Sequence, residues 1–378
     1  MPAMVSTASP ILANDFRALW REIGADAEAA LRRVGESGWF ILGAEVREFE
    51  KDLAAFWGMR EAIGCGNGMD AIEISLRAAG LQPGQRVLTT PLSAFATTLA
   101  ILRAGGVPVF GDVDATGALD LELARKLFEA QPDLRWMVPV HLFGQCMNLA
   151  ELAALRDAFG LKIIEDCAQS IGAAWQNQPC GSVGLAAATS FYPTKNLGTL
   201  GDGGAILTND PDLSAAARQW LNYGQSEKYV HILPGLNSRL DEIHAAILRD
   251  ALLPRLANFT LARRQIASAY REGLHHPNLT LPPASAPESH VHHLFPLYVG
   301  GNRESFMDHL RKHHILTGIH YPHLIPDQPA MQGQRFQTPG SLPVARRLAM
   351  SEISLPIHPH LSAEECARVL NACNSWKP

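Results

Sequence analysis

The 378-residue chain is sparing with cysteine and has no long run of one charge, and each lack closes off a class of protein. Its six cysteines (Cys65, Cys146, Cys167, Cys180, Cys366 and Cys373) form no C-x-x-C pair. That scatter argues against a disulfide scaffold and suits a reducing cytosol, so a cytoplasmic location is expected. Without a Lys/Arg run there is no electrostatic footprint for nucleic acid. No uninterrupted apolar stretch is long enough to span a bilayer, so no membrane partner is expected. Met1 to Phe16 lacks a basic segment followed by an apolar core, so no signal peptide is expected either. Histidine is the exception to this economy, with fifteen copies. They cluster at His290, His292 and His293, at His313 and His314, and at His358 and His360, but none of these sets has H-E-x-x-H spacing or paired cysteines. The expectation is no metal site.

What is present is ordinary for a globular enzyme. Hydrophobic residues make up 47%, charged residues 18%, and the net charge is -5. Short apolar runs alternate with amphipathic helices. Strands are expected at Arg86–Thr90, Val107–Val113, Trp136–Leu142, Lys162–Asp166, Ala187–Tyr192 and Gly204–Thr208. Helices are expected at Asp70–Ala79, Ala96–Ala104, Asp120–Ala130 and Leu149–Phe159. This alternation predicts an α/β fold with a mostly parallel sheet covered by helices on both faces. Ligands collect beyond the carboxyl ends of such strands. A long helical stretch follows from Leu240 to Glu272, which Pro254 should interrupt. The division expected is residues 1–250 as a large domain, then 251–378 as a linking helix and a smaller C-terminal domain.

The chemistry concentrates in Leu161–Leu207. An apolar strand ends in Glu165-Asp166, so Asp166 lies where ligands bind. By itself an acid there reads more readily as a helix cap. Lys195 follows in the turn Pro193-Thr194-Lys195-Asn196, before Gly198, Gly201, Gly203 and Gly204. A lysine among small residues, if desolvated, becomes a nucleophile or Schiff-base partner. Gly64-Cys65-Gly66-Asn67-Gly68-Met69-Asp70 precedes a helix, where exposed N–H groups and the helix dipole favour an anion. It lacks both the GxGxxG dinucleotide spacing and the GK[ST] of a P-loop.

Together SFYPTKNLG…GDGGAI, EDCAQSIGA, GNGMDAI, VHLFGQ and GLNSRLDEIHAAI resemble the DegT/DnrJ/EryC1/StrS family of pyridoxal-phosphate (PLP) sugar aminotransferases. The resemblance runs from about Gly38 to LPIHPHLSAEE. It implies a type I aminotransferase fold with a seven-stranded sheet in the large domain. Lys195 resembles the lysine that binds the cofactor and moves the proton. Asp166 matches the acid on the pyridine nitrogen, and Gln169 the residue facing the 3-oxygen. Gly68, Met69 and Ser190 match the phosphate cradle, although many relatives carry Thr or Ser where Met69 stands. The ring-stacking position falls on Ala94 or, with a one-residue shift, on Phe95. Asn237 resembles an asparagine supplied by the neighbouring subunit, which implies a homodimer with composite sites. Arg239, Trp39, Phe40, His320 and Tyr321 are implied on the substrate side, with His293 close to the last two.

The implied reaction is transfer of an amino group from L-glutamate to a nucleotide-linked keto sugar. The GNGMDAI form is nearest to members acting at C3 of a dTDP-3-keto-6-deoxyhexose. Action at C4 of a dTDP- or UDP-4-keto sugar, or on a keto-inositol, shares the same core motifs. A sugar dehydratase would carry histidine in place of Lys195. A nucleotide-sugar oxidoreductase leaves the Lys195 segment unexplained. A non-catalytic regulatory paralogue has no need of Asp166, Gln169 and Lys195.

Overall fold

Along each central strand, successive side chains enter different apolar layers, and this fixes the architecture. Ile163 of the strand Lys162–Asp166 packs into one core cluster and Ile164 into another. Ala187 and Ala188 divide in the same way. A strand buried on both faces reads as a continuous apolar run and belongs inside a helix-covered sheet. The computed structural model describes residues 9–378, so the first half of the Met1–Phe16 stretch considered for a leader lies outside the described residues.

Seven strands form the central sheet: β1 (Glu61–Cys65), β2 (Arg86–Thr89), β3 (Val107–Phe110), β4 (Trp136–Val138), β5 (Lys162–Asp166), β6 (Ala186–Ser190) and β7 (Gly204–Thr208). Their spatial order is β1-β7-β6-β5-β4-β2-β3. All run parallel except β7, which is antiparallel to both neighbours. The mostly parallel α/β sheet expected from the alternation is therefore the observed one. β1 was not expected as a strand, because its last residues overlap the glycine turn that dominates that stretch.

Helices α1 (Phe16–Ser37), α2 (Ala44–Trp57), α3 (Gly68–Ala78), α4 (Phe95–Arg103), α5 (Leu121–Ala130), α6 (Leu149–Phe159), α7 (Pro211–Leu221) and α8 (Glu242–Ile247) cover the sheet. α3, α4 and α7 bury Ile72, Ile101 and Leu213 on one face. α1, α2, α5, α6 and α8 bury Ile23, Phe49, Phe128, Leu152 and Ala246 on the other. α2 begins at Gly43, which has no side chain to cap it. Glu242 caps it instead: its carboxylate accepts from the N–H groups of Gly43 (2.7 Å), Glu45 (2.9 Å) and Val46 (3.1 Å). A buried carboxylate is tolerated there because the helix N-terminus supplies donors and a favourable dipole.

The helical stretch from 240 onward is interrupted as Pro254 requires. A wide turn (Leu248–Leu252) and a tight one (Leu253–Arg255) separate α8 from α9 (Leu256–Gly273). Residue 250, where the division is expected, lies inside this helical run. α9 joins two cores: Leu256 and Phe259 pack with the large sheet, Ile266 and Tyr270 with a second cluster. That cluster surrounds an antiparallel sheet of β8 (Leu279–Thr280), β9 (Phe295–Val299) and β10 (Glu352–Leu355). Helices α10 (Arg303–Lys312), α11 (Pro343–Ser351) and α12 (Ala363–Ser375) complete this part. Among the described residues, no helix is long and apolar enough to cross a membrane.

Candidate active site

The carboxyl end of β5 carries two adjacent acids with separate duties. Because the strand alternates, Glu165 and Asp166 point to opposite faces. Glu165 is a buried structural acid. It accepts from Val183 N–H (2.8 Å) and Gly184 N–H (2.6 Å) and pairs with Nε2 of buried His141 (2.9 Å). The other ring nitrogen of His141 accepts from the Met147 N–H, so both are engaged. Asp166 opens instead into a cavity of about 280 Å³ at the sheet's carboxyl edge. Its Oδ2 accepts from Thr97 Oγ (2.8 Å) and its Oδ1 from Ala168 N–H (3.1 Å). Ser93 Oγ lies 3.1 Å from Thr97 Oγ and extends the chain of hydrogen bonds.

Lys195 reaches the same cavity from the loop after β6. That loop is drawn tight: Lys195 N–H donates to Tyr192 C=O (2.8 Å) and Thr199 N–H to Phe191 C=O (2.8 Å). A Cβ on Gly198 would stand 2.5 Å from Pro193 O, so only glycine allows this closure. Removal from water lowers the Lys195 ammonium pKa to about 8, with the Asp166 carboxylate working in the opposite direction. A lysine so placed has a sizeable neutral fraction near neutrality and is a competent nucleophile or base.

The glycine turn forms a third wall. Asn67 caps α3 by accepting from Asp70 N–H (2.8 Å). The first N–H groups of a helix have no intrahelical partner; here they are those of Gly68 and Met69, at the cavity edge beside Ser190. Gly68 is required by contact: a Cβ there would lie 2.6 Å from Ser190 Cβ. An anion is favoured at such a helix start.

Gln169 is buried and doubly held. Its Oε1 accepts from Phe143 N–H (2.6 Å), and its Nε2 donates to Tyr321 Oη (3.2 Å). This second bond ties the C-terminal part of the chain to the cavity. His320, next to Tyr321, is fixed through its backbone N–H on Glu352 (2.6 Å) and its Nδ1 on Ser354 Oγ (2.9 Å). Burial, reinforced by the positive charge of Lys195, lowers the His320 pKa to about 4. His293 lies close by, with Nδ1 3.2 Å from Asn196 Oδ1, and is likewise kept neutral by burial.

The structure thus brings Gly68, Met69, Asp166, Gln169, Ser190 and Lys195 around one cavity. It places others elsewhere. Phe95 does not line the cavity; it packs in the apolar cluster of Phe110 and Leu324, while Ala94 and Ala96 on either side do line it. Trp39 and Phe40 stand 62% and 50% exposed just before α2, outside the cavity. Asn237 is exposed, and Arg239 packs over the Tyr223 ring (5.0 Å) while donating to Asn222 Oδ1 (3.0 Å). Thr97 and Asp202 line the site without having been expected there. Thr97 lies two residues beyond Phe95, and its signal is a hydroxyl in the first turn of a helix facing the strand ends.

These features suit pyridoxal phosphate. An anion cradle, a carboxylate and a lysine with a lowered pKa line a single cavity, matching the cofactor's phosphate, pyridinium nitrogen and aldehyde. The profile of the DegT/DnrJ/EryC1/StrS aminotransferase family matches residues 21–374. The chain is 38% identical over 364 residues to a dTDP-3-amino-3,4,6-trideoxy-alpha-D-glucose transaminase of Streptomyces venezuelae, covering 96% of this chain and 95% of that protein. It is 37% identical over 369 residues to a UDP-N-acetyl-3-dehydro-alpha-D-glucosamine 3-aminotransferase of Acidithiobacillus ferrooxidans, covering 96% of each. The crystal structure of S. venezuelae DesV in complex with a ketimine intermediate superposes with a TM-score of 0.93 at 37% identity, covering 98% of this chain and 99% of that one. The chain therefore belongs to the DegT/DnrJ/EryC1/StrS aminotransferase family and is a PLP-dependent aminotransferase.

Proposed function

We propose that this enzyme transfers the amino group of L-glutamate to a nucleotide-linked keto sugar, with a dTDP-3-keto-6-deoxyhexose as the preferred acceptor. The observation that carries the reaction type is the convergence of Lys195, Asp166 and the start of α3 on one cavity. The relatives named above act in amino-sugar formation at C3, one with a dTDP-sugar and one with a UDP-sugar. They support position C3 and leave the nucleotide to experiment.

When bound, the cofactor supplies an electron sink for the charge that develops at the carbon losing its proton. The protein's residues do the rest. The N–H groups of Gly68 and Met69, with the Ser190 hydroxyl, would hold the phosphate. Asp166, kept in place by Thr97, carries the negative charge that keeps a pyridine nitrogen protonated. Gln169 would sit by the 3-oxygen. Lys195 takes the proton at one face and returns it at the other end of the transfer, a role its pKa of about 8 fits. Tyr321 and neutral His320 face the sugar from the C-terminal part, and the exposed Trp39, Phe40, Asn237 and Arg239 complete the site across a homodimer.

The test is a glutamate-dependent assay against dTDP- and UDP-linked 3-keto and 4-keto sugars and a keto-inositol, with product regiochemistry by NMR. A 3-amino dTDP-sugar formed faster than every other product is the expected result. Preference for a UDP-sugar, a 4-keto sugar or an inositol overturns the substrate, and no amino product from any acceptor overturns the reading.

A further inference from the structure

Behind the lysine loop lies a second, smaller cavity of about 40 Å³, distinct from the cofactor cavity. Arg263, His358, His360, Asp15, Thr194 and Lys195 are among its walls. By volume it admits about three water-sized groups. Arg263, on α9, is 4% exposed and is the one buried lysine or arginine among the described residues. Its Nη1 donates to the carbonyls of Ile357 (2.6 Å) and His292 (3.2 Å), and its Nε has no acceptor. Burial alone lowers its pKa, to about 10, so it stays charged at neutral pH. His358 Nδ1 and His360 Nε2 are also buried without a partner. Three of the ten buried side-chain polar atoms without a partner among the described residues therefore meet in this one place.

The acids nearby are occupied elsewhere. Asp15 accepts from Arg17 and Ala18 N–H (both 3.0 Å) at the start of α1. Glu22 lies 3.5 Å from His360 Nδ1. Among the described residues, neither these nor any other carboxylate comes within 4.0 Å of the Arg263 guanidinium, whose hydrogen bonds all go to neutral carbonyls. Lys195 belongs to the walls of both this cavity and the cofactor cavity. Both histidines are held neutral by burial, and a neutral imidazole can present an N–H on either nitrogen. A buried guanidinium with carbonyl partners alone keeps an uncompensated charge, which is costly in a low-dielectric interior. Water can satisfy a donor there but cannot neutralise the charge.

We propose that this cavity is a binding site for a small monovalent anion, of halide or formate size, held by the Arg263 guanidinium and the His358 N–H. The anion is the counter-ion that lets the N-terminal segment, the lysine loop and α9 pack around a buried charge. The proposal concerns the packing of a buried charge, and its test does not depend on the substrate.

Crystals of the holoenzyme soaked in sodium bromide, with data collected at the bromine absorption edge, decide the question directly. The expected result is an anomalous peak within about 3.5 Å of the Arg263 guanidinium. Bromide peaks confined to the outer surface overturn the proposal. In solution, replacing gluconate with chloride at constant ionic strength should raise the melting temperature of the wild type saturably, by about 2 °C or more. R263M should lose the saturable part. A folded R263M that keeps it, or a wild type that shows none, overturns the proposal. Should R263M fail to fold, the bromide experiment on the wild type stands alone as the test.

Discussion

Asp166 and Asn237 are both expected to serve one cofactor, yet the molecule treats them in opposite ways. Asp166 is buried, with each carboxylate oxygen accepting a hydrogen bond from its own chain. Asn237 is exposed on a strap whose backbone is pinned at Tyr223–Leu236 (2.8 Å) and Ser238–Leu221 (2.9 Å). The same contrast separates Lys195, in its closed loop, from Trp39 and Phe40 at the mouth of α2. Around the strap, Tyr229 is 79% and Ile232 60% exposed. Apolar groups of that size are costly to leave in water together, and patches of this kind mark interaction surfaces. The floor of the cavity is thus built from a single chain, and the groups expected at its rim are presented outward. In the proposed homodimer each subunit supplies a floor to itself and a rim to its partner.

That contrast can be broken or sharpened by experiment. The largest effect is expected on the floor. Lys195→Ala should lower kcat by at least about 10⁴-fold, the upper range for a positioned acid–base group. Steady-state rates for the purified variant check this. Asp166→Asn keeps the shape and removes the charge, and should cost about 10- to 100-fold, as expected for a hydrogen bond to a charged group. A loss under threefold would show that the charge is not used.

The rim should respond differently. Asn237→Ala should weaken PLP retention about 5- to 50-fold, measured by dialysis and absorbance. If the partner supplies Asn237, mixing N237A with inactive K195A creates hybrid dimers with one native site. Assayed at limiting PLP, activity should then exceed that of either parent. No gain on mixing under subunit exchange would place Asn237 in its own subunit's site. A smaller effect is expected for Thr97→Ala, which removes one hydrogen bond to Asp166 and should lower kcat about 3- to 10-fold.

The pH dependence follows from Lys195. Only the neutral amine attacks an aldehyde, and burial brings its pKa down to about 8 from an ordinary value above 10. The neutral fraction rises as pH increases through the pKa. PLP uptake by cofactor-free protein should therefore speed up with a half-rise near pH 8, followed by stopped-flow absorbance. A half-rise above pH 10 would mean that the lysine is solvated.

Much of the floor was legible because its parts are contiguous. Asp166, Gln169, Ser190 and Lys195 occur within thirty residues on two neighbouring strands and their loops, and adjacent parallel strands deliver their carboxyl ends to one edge. The helix start at Gly68 was legible from glycines before an amphipathic stretch. What was hidden depends on contacts between distant segments. Thr97 reaches Asp166 across 69 residues, and Tyr321 reaches Gln169 across 152. The capping of α2 by Glu242 spans 199 residues to Gly43. Phe95 shows the limit of register: a one-residue choice decides which side chain enters a cavity, and α4 turns Phe95 into the apolar cluster while Ala94 faces the site. Arg263, His358 and Asp15 meet only through tertiary packing, and no spacing in the sequence announces them.

The most direct measurement concerns the bond that makes the floor a cofactor site. The purified protein, loaded with PLP, is reduced with borohydride, digested and analysed by mass spectrometry. The account predicts that visible absorbance disappears and that a reduced pyridoxyl group is found on Lys195 and on no other lysine. Unmodified Lys195, or label spread over surface lysines, would contradict it.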